Sequence, residues 1–151
     1  MAITARPISV LLVDDDPGDV LMIEEALQSI GSPRLVYVVN DGEEAVAFLR
    51  QTGAFTTAPR PDVVLLDLNM PRMDGRQVLA EIKADTELKS IPIVVFTTSQ
   101  SPADITSSYS LHANAFVTKP MNLDDLTDVV HKIDYFFARI AALPGQRPPV
   151  I

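Results

Sequence analysis

Short apolar runs alternate along the chain with segments in which apolar residues recur every three or four positions. The runs Ser9 to Val13, Leu35 to Val39, Val63 to Leu66, Ile93 to Phe96 and Ala115 to Val117 have strand length. Several are continuously apolar rather than alternating, as strands covered on both faces are. A helical period follows each run, so five βα units result. The pattern predicts an α/β fold in which a parallel, doubly wound sheet carries helices on both faces.

Capping chemistry marks the helix starts. Asp16 before Pro17 opens the first helix, with Val20, Ile23, Leu27 and Ile30 on one stripe and Gly31 after its end. Asp41 with Glu44, and Asp74 with Gln77, have the spacing of capping boxes: a short acceptor at the N-cap and a longer polar side chain three residues on. Ser101 with Pro102 starts the fourth helix, and Asn122 caps the fifth. In the fifth, Leu126, Val130, Ile133, Phe137 and Ile140 are expected to face inward and Tyr135 outward, with Val129 and Phe136 at the margin of the stripe. The segment from Gln51 to Asp62 reads as a loop. After Ile140 the prolines at 144, 148 and 149 exclude a continuing helix.

Length and composition narrow the picture. The 151 residues suit one domain, so the expected organisation is an N-terminal extension over 1–7, the domain over 8–143 and a Pro-rich tail over 144–151. Apolar content of 47% with 21% charged residues is that of a globular chain. The absence of cysteine excludes disulfides, thiolate catalysis and cysteine-ligated metals. No run approaches the roughly 18 apolar residues that span a bilayer, and the first residues lack the pattern of a signal peptide, so a soluble, cytoplasmic protein without a membrane partner is expected. The net charge of -8 repels phosphate backbones, and no direct nucleic-acid partner is expected. No GxxxxGK[ST] or GxGxxG pattern is present to cradle a nucleotide.

The chemistry gathers where strands end. In an open parallel sheet ligands bind beyond the carboxyl ends of the strands. The first strand leads into Asp14, Asp15 and Asp16, the third into Asp67 within "LLDLNMPRMDG", the fourth into Thr97 and Thr98, and the fifth into Thr118 and Lys119-Pro120. If the first and third strands are neighbours, Asp14, Asp15 and Asp67 converge. Each pair of carboxylates about 5 Å apart repels by roughly 3 kcal/mol at an effective dielectric near 20. Such a cluster implies a cation, and all-oxygen ligands favour a hard one, Mg²⁺ or Mn²⁺. A divalent ion would leave an oxygen of Asp67 free to act as a nucleophile toward a phosphoryl group, with Lys119 and Thr97 able to meet the phosphoryl oxygens.

With the Asp pair of "LLVDDD", the "LLDLNMPRMDG" signature, the hydroxyl after "PIVVF" and the lysine of "VTKP", the chain resembles the receiver domains of two-component response regulators, CheY-like proteins, over about residues 8 to 140. The resemblance implies a flavodoxin-like sheet of order 2-1-3-4-5. It implies Asp67 as phosphoacceptor, Asp14, Asp15 and Asp67 as metal-binding acids with the backbone carbonyl of Asn69, Thr97 as switch hydroxyl, Phe116 as switch aromatic and Lys119 as the phosphoryl-contacting lysine. It further implies a cis Lys119-Pro120 bond. Ser99 stands at a position that commonly tunes dephosphorylation. The implied partner is a sensor histidine kinase, and the face of helix 4, strand 5 and helix 5, with Tyr109, Val129, Tyr135 and Phe136, is the expected surface of a homodimer. "DDDPGDVLMIEEAL", the long loop before the third strand and "TTSQSPADI" further resemble the stand-alone regulators that partner phytochrome-type histidine kinases.

Other readings compete. A haloacid-dehalogenase-type hydrolase also places an Asp nucleophile at a strand end beside Mg²⁺, but its second acid is replaced by Asn69, which cannot donate a catalytic proton. A flavodoxin-like cofactor binder would meet a repellent "DDDPGD" loop. Asp16 next to Pro17 reads as an N-cap rather than a ligand, and His112 and His131 as residues of solvated helix faces.

Overall fold

The structure is a computed structural model that describes residues 7–31 and 34–145. Most of the expected extension and tail therefore lies outside the described residues, Pro148 and Pro149 included. Five strands, β1 (Ile8–Val13), β2 (Arg34–Val39), β3 (Val63–Leu66), β4 (Ile93–Thr97) and β5 (Ala115–Thr118), form one parallel sheet of order β2-β1-β3-β4-β5. Five helices alternate with them: α1 (Pro17–Gln28), α2 (Gly42–Arg50), α3 (Gly75–Ala84), α4 (Pro102–Ser110) and α5 (Leu123–Tyr135). The expected doubly wound architecture and strand order are both present.

The continuous apolar runs have the physical cause expected of them. Successive strand residues point to opposite faces, and both faces are covered. Leu11, Val13, Val64 and Leu66 pack with Ala45, Leu49, Val78 and Ile82 of α2 and α3. Val10, Leu12, Val63 and Leu65 pack with Ile23, Leu27, Leu126 and Val130 of α1 and α5. Every residue of β1, β3 and β4 is buried, whereas the edge strands β2 and β5 are largely half-buried. Burial of each such Leu, Ile or Val side chain contributes about 1.5–3 kcal/mol, and the central strands are thus the rigid part of the fold.

The caps fall where the sequence puts them. Asp16 accepts from the backbone N–H groups of Gly18 and Asp19, Ser101 from Asp104 and Asn122 from Asp125. Asp74 and Gln77 complete a reciprocal capping box. The Asp41 box is half made: Asp41 accepts from the Glu44 N–H at 2.8 Å, but the Glu44 carboxylate reaches back to the N–H of Asn40 instead.

The inward Ile140 and the cis Lys119-Pro120 bond are not found. Ile140 is 48% exposed, because α5 gives way after Tyr135 to a π turn over Phe136–Ile140, with the Ala141 N–H bonded to the Phe136 carbonyl at 2.7 Å. The wider turn carries Ile140 off the buried stripe. The Lys119-Pro120 bond is trans, as is every peptide bond among the described residues. The two forms of an X–Pro bond differ by only about 0.5–1 kcal/mol, so the dipeptide alone does not determine the isomer.

The stretch from Gln51 to Asp62 is a structured loop with a 3-10 turn at Gly53–Phe55. Phe55 packs against Phe48 of α2 with the rings tilted by 55°, and the buried Asp62 accepts from the Ser9 N–H at 2.8 Å, fastening the loop under β1. His131 also departs from a purely solvated role. Its Nε2 lies 2.9 Å from the Ala26 carbonyl and 3.0 Å from Ser29 Oγ, tying α5 to the end of α1, while His112 is exposed.

Candidate functional site

The register of the central strands builds the site. Val13 of β1 lies opposite Leu66 of β3, and each is the last residue of its strand. The next residues, Asp14 and Asp67, leave the sheet side by side, with the Asp67 N–H bonded to the Val13 carbonyl at 3.0 Å. Asp15 follows at once. One carboxylate oxygen from each of Asp14, Asp15 and Asp67 lies within 4.8 Å of the others. Asp14 is 1% exposed and Asp67 8% exposed, whereas Asp15 faces solvent.

Lys119 enters from β5, whose chain end is held against β4 by the bond from the Lys119 N–H to the Thr97 carbonyl, 2.7 Å. Its Nζ lies 2.6 Å from Asp14 Oδ2, 3.0 Å from Asp19 Oδ2 and 3.5 Å from Asp67 Oδ2. Burial pushes the Asp14 carboxyl above the usual range, and the hydrogen bonds from Lys119 and the Asp16 N–H offset that only in part. For Lys119 burial acts against the ammonium, but Asp14, Asp67 and Asp19 outweigh it and raise its pKa further, keeping it charged. Thr97 is fully buried at the end of β4, with the Ser99 N–H 3.5 Å from its Oγ1. Asn69 is exposed and directs its N–H at Asp67 Oδ1, 3.4 Å away.

The loop after β3 is clamped at both ends. An added Cβ on Gly75 would sit 2.4 Å from the Asp67 carbonyl oxygen and 2.8 Å from Leu68 Cα, so only glycine lets α3 start this close to the acid. A Cβ on Gly42 would sit 2.1 Å from the Met73 carbonyl oxygen. Arg72, at φ 64°, reaches Asp41 at the N-cap of α2, 2.5 Å away.

Asp14, Asp15, Asp67, Thr97 and Lys119 therefore converge on one sheet edge as the sequence reading expects. Phe116 lies half-buried against the core on β5, and its N–H donates to the Tyr109 hydroxyl at 3.1 Å. Tyr109, Tyr135 and Phe136 are exposed and Val129 is half-buried. Asp16 spends its carboxylate on the α1 cap. Sequence reasoning missed Asp19, whose signal was only its place in the first turn of the helix that the acidic loop opens. It also missed Asp104, which accepts from Ser99 Oγ at 2.6 Å and pairs with Arg76 of α3.

Residues 10–131 match the response regulator receiver domain, and the chain belongs to that family. It is 44% identical over 139 residues to the response regulator Rcp1 of Synechocystis, a match covering 92% of this chain and 95% of that protein. Among solved structures it is similar to the phosphorylated cyanobacterial phytochrome response regulator RcpA, with TM-score 0.89 and 47% identity over 92% of this chain and 99% of that one. The Mn²⁺-bound form of Rcp1 gives TM-score 0.87 and 43% identity over 92% of this chain and 100% of that one. The chain is thus a receiver-domain response regulator, a phosphorylation-dependent signalling switch rather than a hydrolase, and its three clustered carboxylates suit a divalent cation.

Proposed function

We propose that Asp67 accepts a phosphoryl group from the phosphohistidine of a sensor kinase, and that this kinase is of the phytochrome type. The observation that carries the reading is the gathering of Asp14, Asp15 and Asp67 within 4.8 Å of one another beside Lys119. The kinase class draws support from the similarity to RcpA and Rcp1.

An oxygen of Asp67 forms the new O–P bond as the histidine N–P bond breaks in line. Asp14, Asp15, Asp67 and the backbone carbonyl of Asn69 would hold the Mg²⁺ or Mn²⁺ ion, which supplies charge neutralisation for the arriving phosphoryl group. Lys119 pairs with one phosphoryl oxygen and the Thr97 hydroxyl donates to another. Re-posing of Thr97 and Phe116 then shifts the population between two packings of the α4, β5 and α5 face, a bias of a few kcal/mol being enough. Tyr109, Val129, Tyr135 and Phe136 on that face join two copies of the chain. Slow attack of water on the aspartyl phosphate resets the switch, and the whole cycle runs in the cytoplasm.

Incubation with acetyl phosphate and Mg²⁺, followed by intact mass, tests the acceptor. Wild type gains one phosphoryl adduct and Asp67→Asn gains none; equal adducts on both refute the assignment. Sedimentation with and without beryllofluoride tests the output. An unchanged monomer refutes phosphorylation-driven pairing.

A further inference from the structure

We propose that Asp19 is a positioning residue that competes with the incoming phosphoryl group for Lys119. This inference rests on Asp67 as the phosphoacceptor. An ammonium has three N–H donors, and three carboxylates take them: Asp14 at 2.6 Å, Asp19 at 3.0 Å and Asp67 at 3.5 Å. Phosphorylation of Asp67 frees only its own contact, the longest of the three, so a closer approach of Lys119 to the phosphoryl oxygens comes at the expense of Asp14 or Asp19. Asp19 is held for this contact by local structure, since its own N–H is bound at 3.2 Å by the N-cap side chain of Asp16.

The geometry indicates which contact yields. Asp14 is buried, also accepts from the Asp16 N–H at 2.9 Å and makes the shorter contact to the lysine, 2.6 Å, so water cannot readily replace the lysine there. The Asp19 side chain is 24% exposed, and water can replace the lysine on its oxygens. When acetyl phosphate reacts, an Asp67 oxygen bonds to phosphorus as the donor's O–P bond breaks and acetate leaves with the electron pair. The aspartyl phosphate that results needs a Lys119 donor, and Asp19 surrenders it. Its carboxylate meanwhile repels the phosphoryl charge. Asp19 therefore sets how readily the site loads.

The test is titration with beryllofluoride in saturating Mg²⁺, alongside the rate of adduct formation from acetyl phosphate. Asp19→Asn keeps the shape and removes the charge. It is expected to tighten half-saturation and speed loading about two- to fivefold, the range a part-exposed ion pair supplies, with the advantage over wild type shrinking as salt rises. Asp19→Glu restores the charge and returns both values toward wild type. Asp19→Ser repeats the test should the amide disturb the cap, and thermal melting verifies that each variant is folded. Folded Asn and Ser variants that load no faster than wild type, or a ratio indifferent to salt, overturn the inference while leaving Asp67 in place. A wild-type chain that takes no adduct overturns the Asp67 assignment and this inference together.

Discussion

Gly75→Ala isolates the contribution of backbone proximity to the site. The added Cβ would lie 2.4 Å from the carbonyl oxygen of Asp67 and 2.8 Å from Leu68 Cα. Ordinary contact begins about 1 Å farther out. Both neighbours are backbone, so no side-chain rotation relieves the overlap; the loop carrying Asp67 or the first turn of α3 must move by roughly that amount. Alanine is the better helix former by up to about 1 kcal/mol, so any destabilisation reports the overlap and not propensity. Overpacking of this kind costs about 1–3 kcal/mol, and a displacement near 1 Å at a reacting group can cost about 10²-fold in rate. The expected outcome is a fall of that order in adduct formation from acetyl phosphate, with a loss of about 1–3 kcal/mol in urea unfolding. Gly31→Ala, where nothing lies within 4 Å of the added atom, serves as the neutral control. A Gly75→Ala protein that loads and unfolds like wild type would show that the close approach of α3 does not position Asp67.

Three further outcomes follow from the same structure. Asp134 of α5 makes a bidentate pair with Arg34 of β2, at 2.5 and 2.6 Å, and both side chains are buried; Asp134→Ala removes two charge-assisted hydrogen bonds and should cost at least about 1.5 kcal/mol, and a loss below 1 kcal/mol in urea unfolding would refute this. The Glu44 N–H, together with Arg72, holds the Asp41 carboxyl below its usual range, so its stabilisation is complete above the unfolded value of about 3.9 and is lost as pH falls through the lower folded value. The stability margin of wild type over Asp41→Asn should therefore shrink on acidification below about pH 4; a margin that grows would reverse the sign. Mg²⁺ at a hundredfold excess over its dissociation constant should stabilise the fold by about 2.7 kcal/mol, chelation should remove that gain, and Asp14→Asn should remove most of it.

What was legible in the sequence is what depends on local pattern. The strands are short apolar runs, rich in valine and isoleucine, and their ends agree with the reading to within a residue or so. The helix starts were legible because a cap is a contact between residues three apart, and Asp16, Asp74, Ser101 and Asn122 all make it. What escaped depends on pairs distant in the chain. Arg34 and Asp134 are 100 residues apart, as are Asp19 and Lys119, and nothing in either neighbourhood announces the other. Ile140 failed for a different reason: a helical period extrapolates smoothly, whereas a single π turn shifts every later side chain.

The acids of this site are held in an unfavourable arrangement by the part of the fold least able to relax. Asp14 and Asp67 are the first residues beyond strands that are buried on both faces and hydrogen-bonded to each other, so the two carboxylates cannot separate without disturbing β1 or β3. Asp14, Asp15, Asp19 and Asp67 carry four negative charges around the one ammonium of Lys119. The raised pKa of Asp14 records the strain of burying one of them. A divalent cation would relieve most of this imbalance, and a phosphoryl group on Asp67 would restore part of it, which makes the pocket sensitive to both. The same rigidity explains why the response must leave by softer routes. Thr97 belongs to a buried strand, but the elements beyond it, α4 and the half-buried β5, offer less buried surface to break. If Asp67 is the acceptor, a change in charge at the rigid centre would be expressed at the edge where the Phe116 N–H meets the Tyr109 hydroxyl.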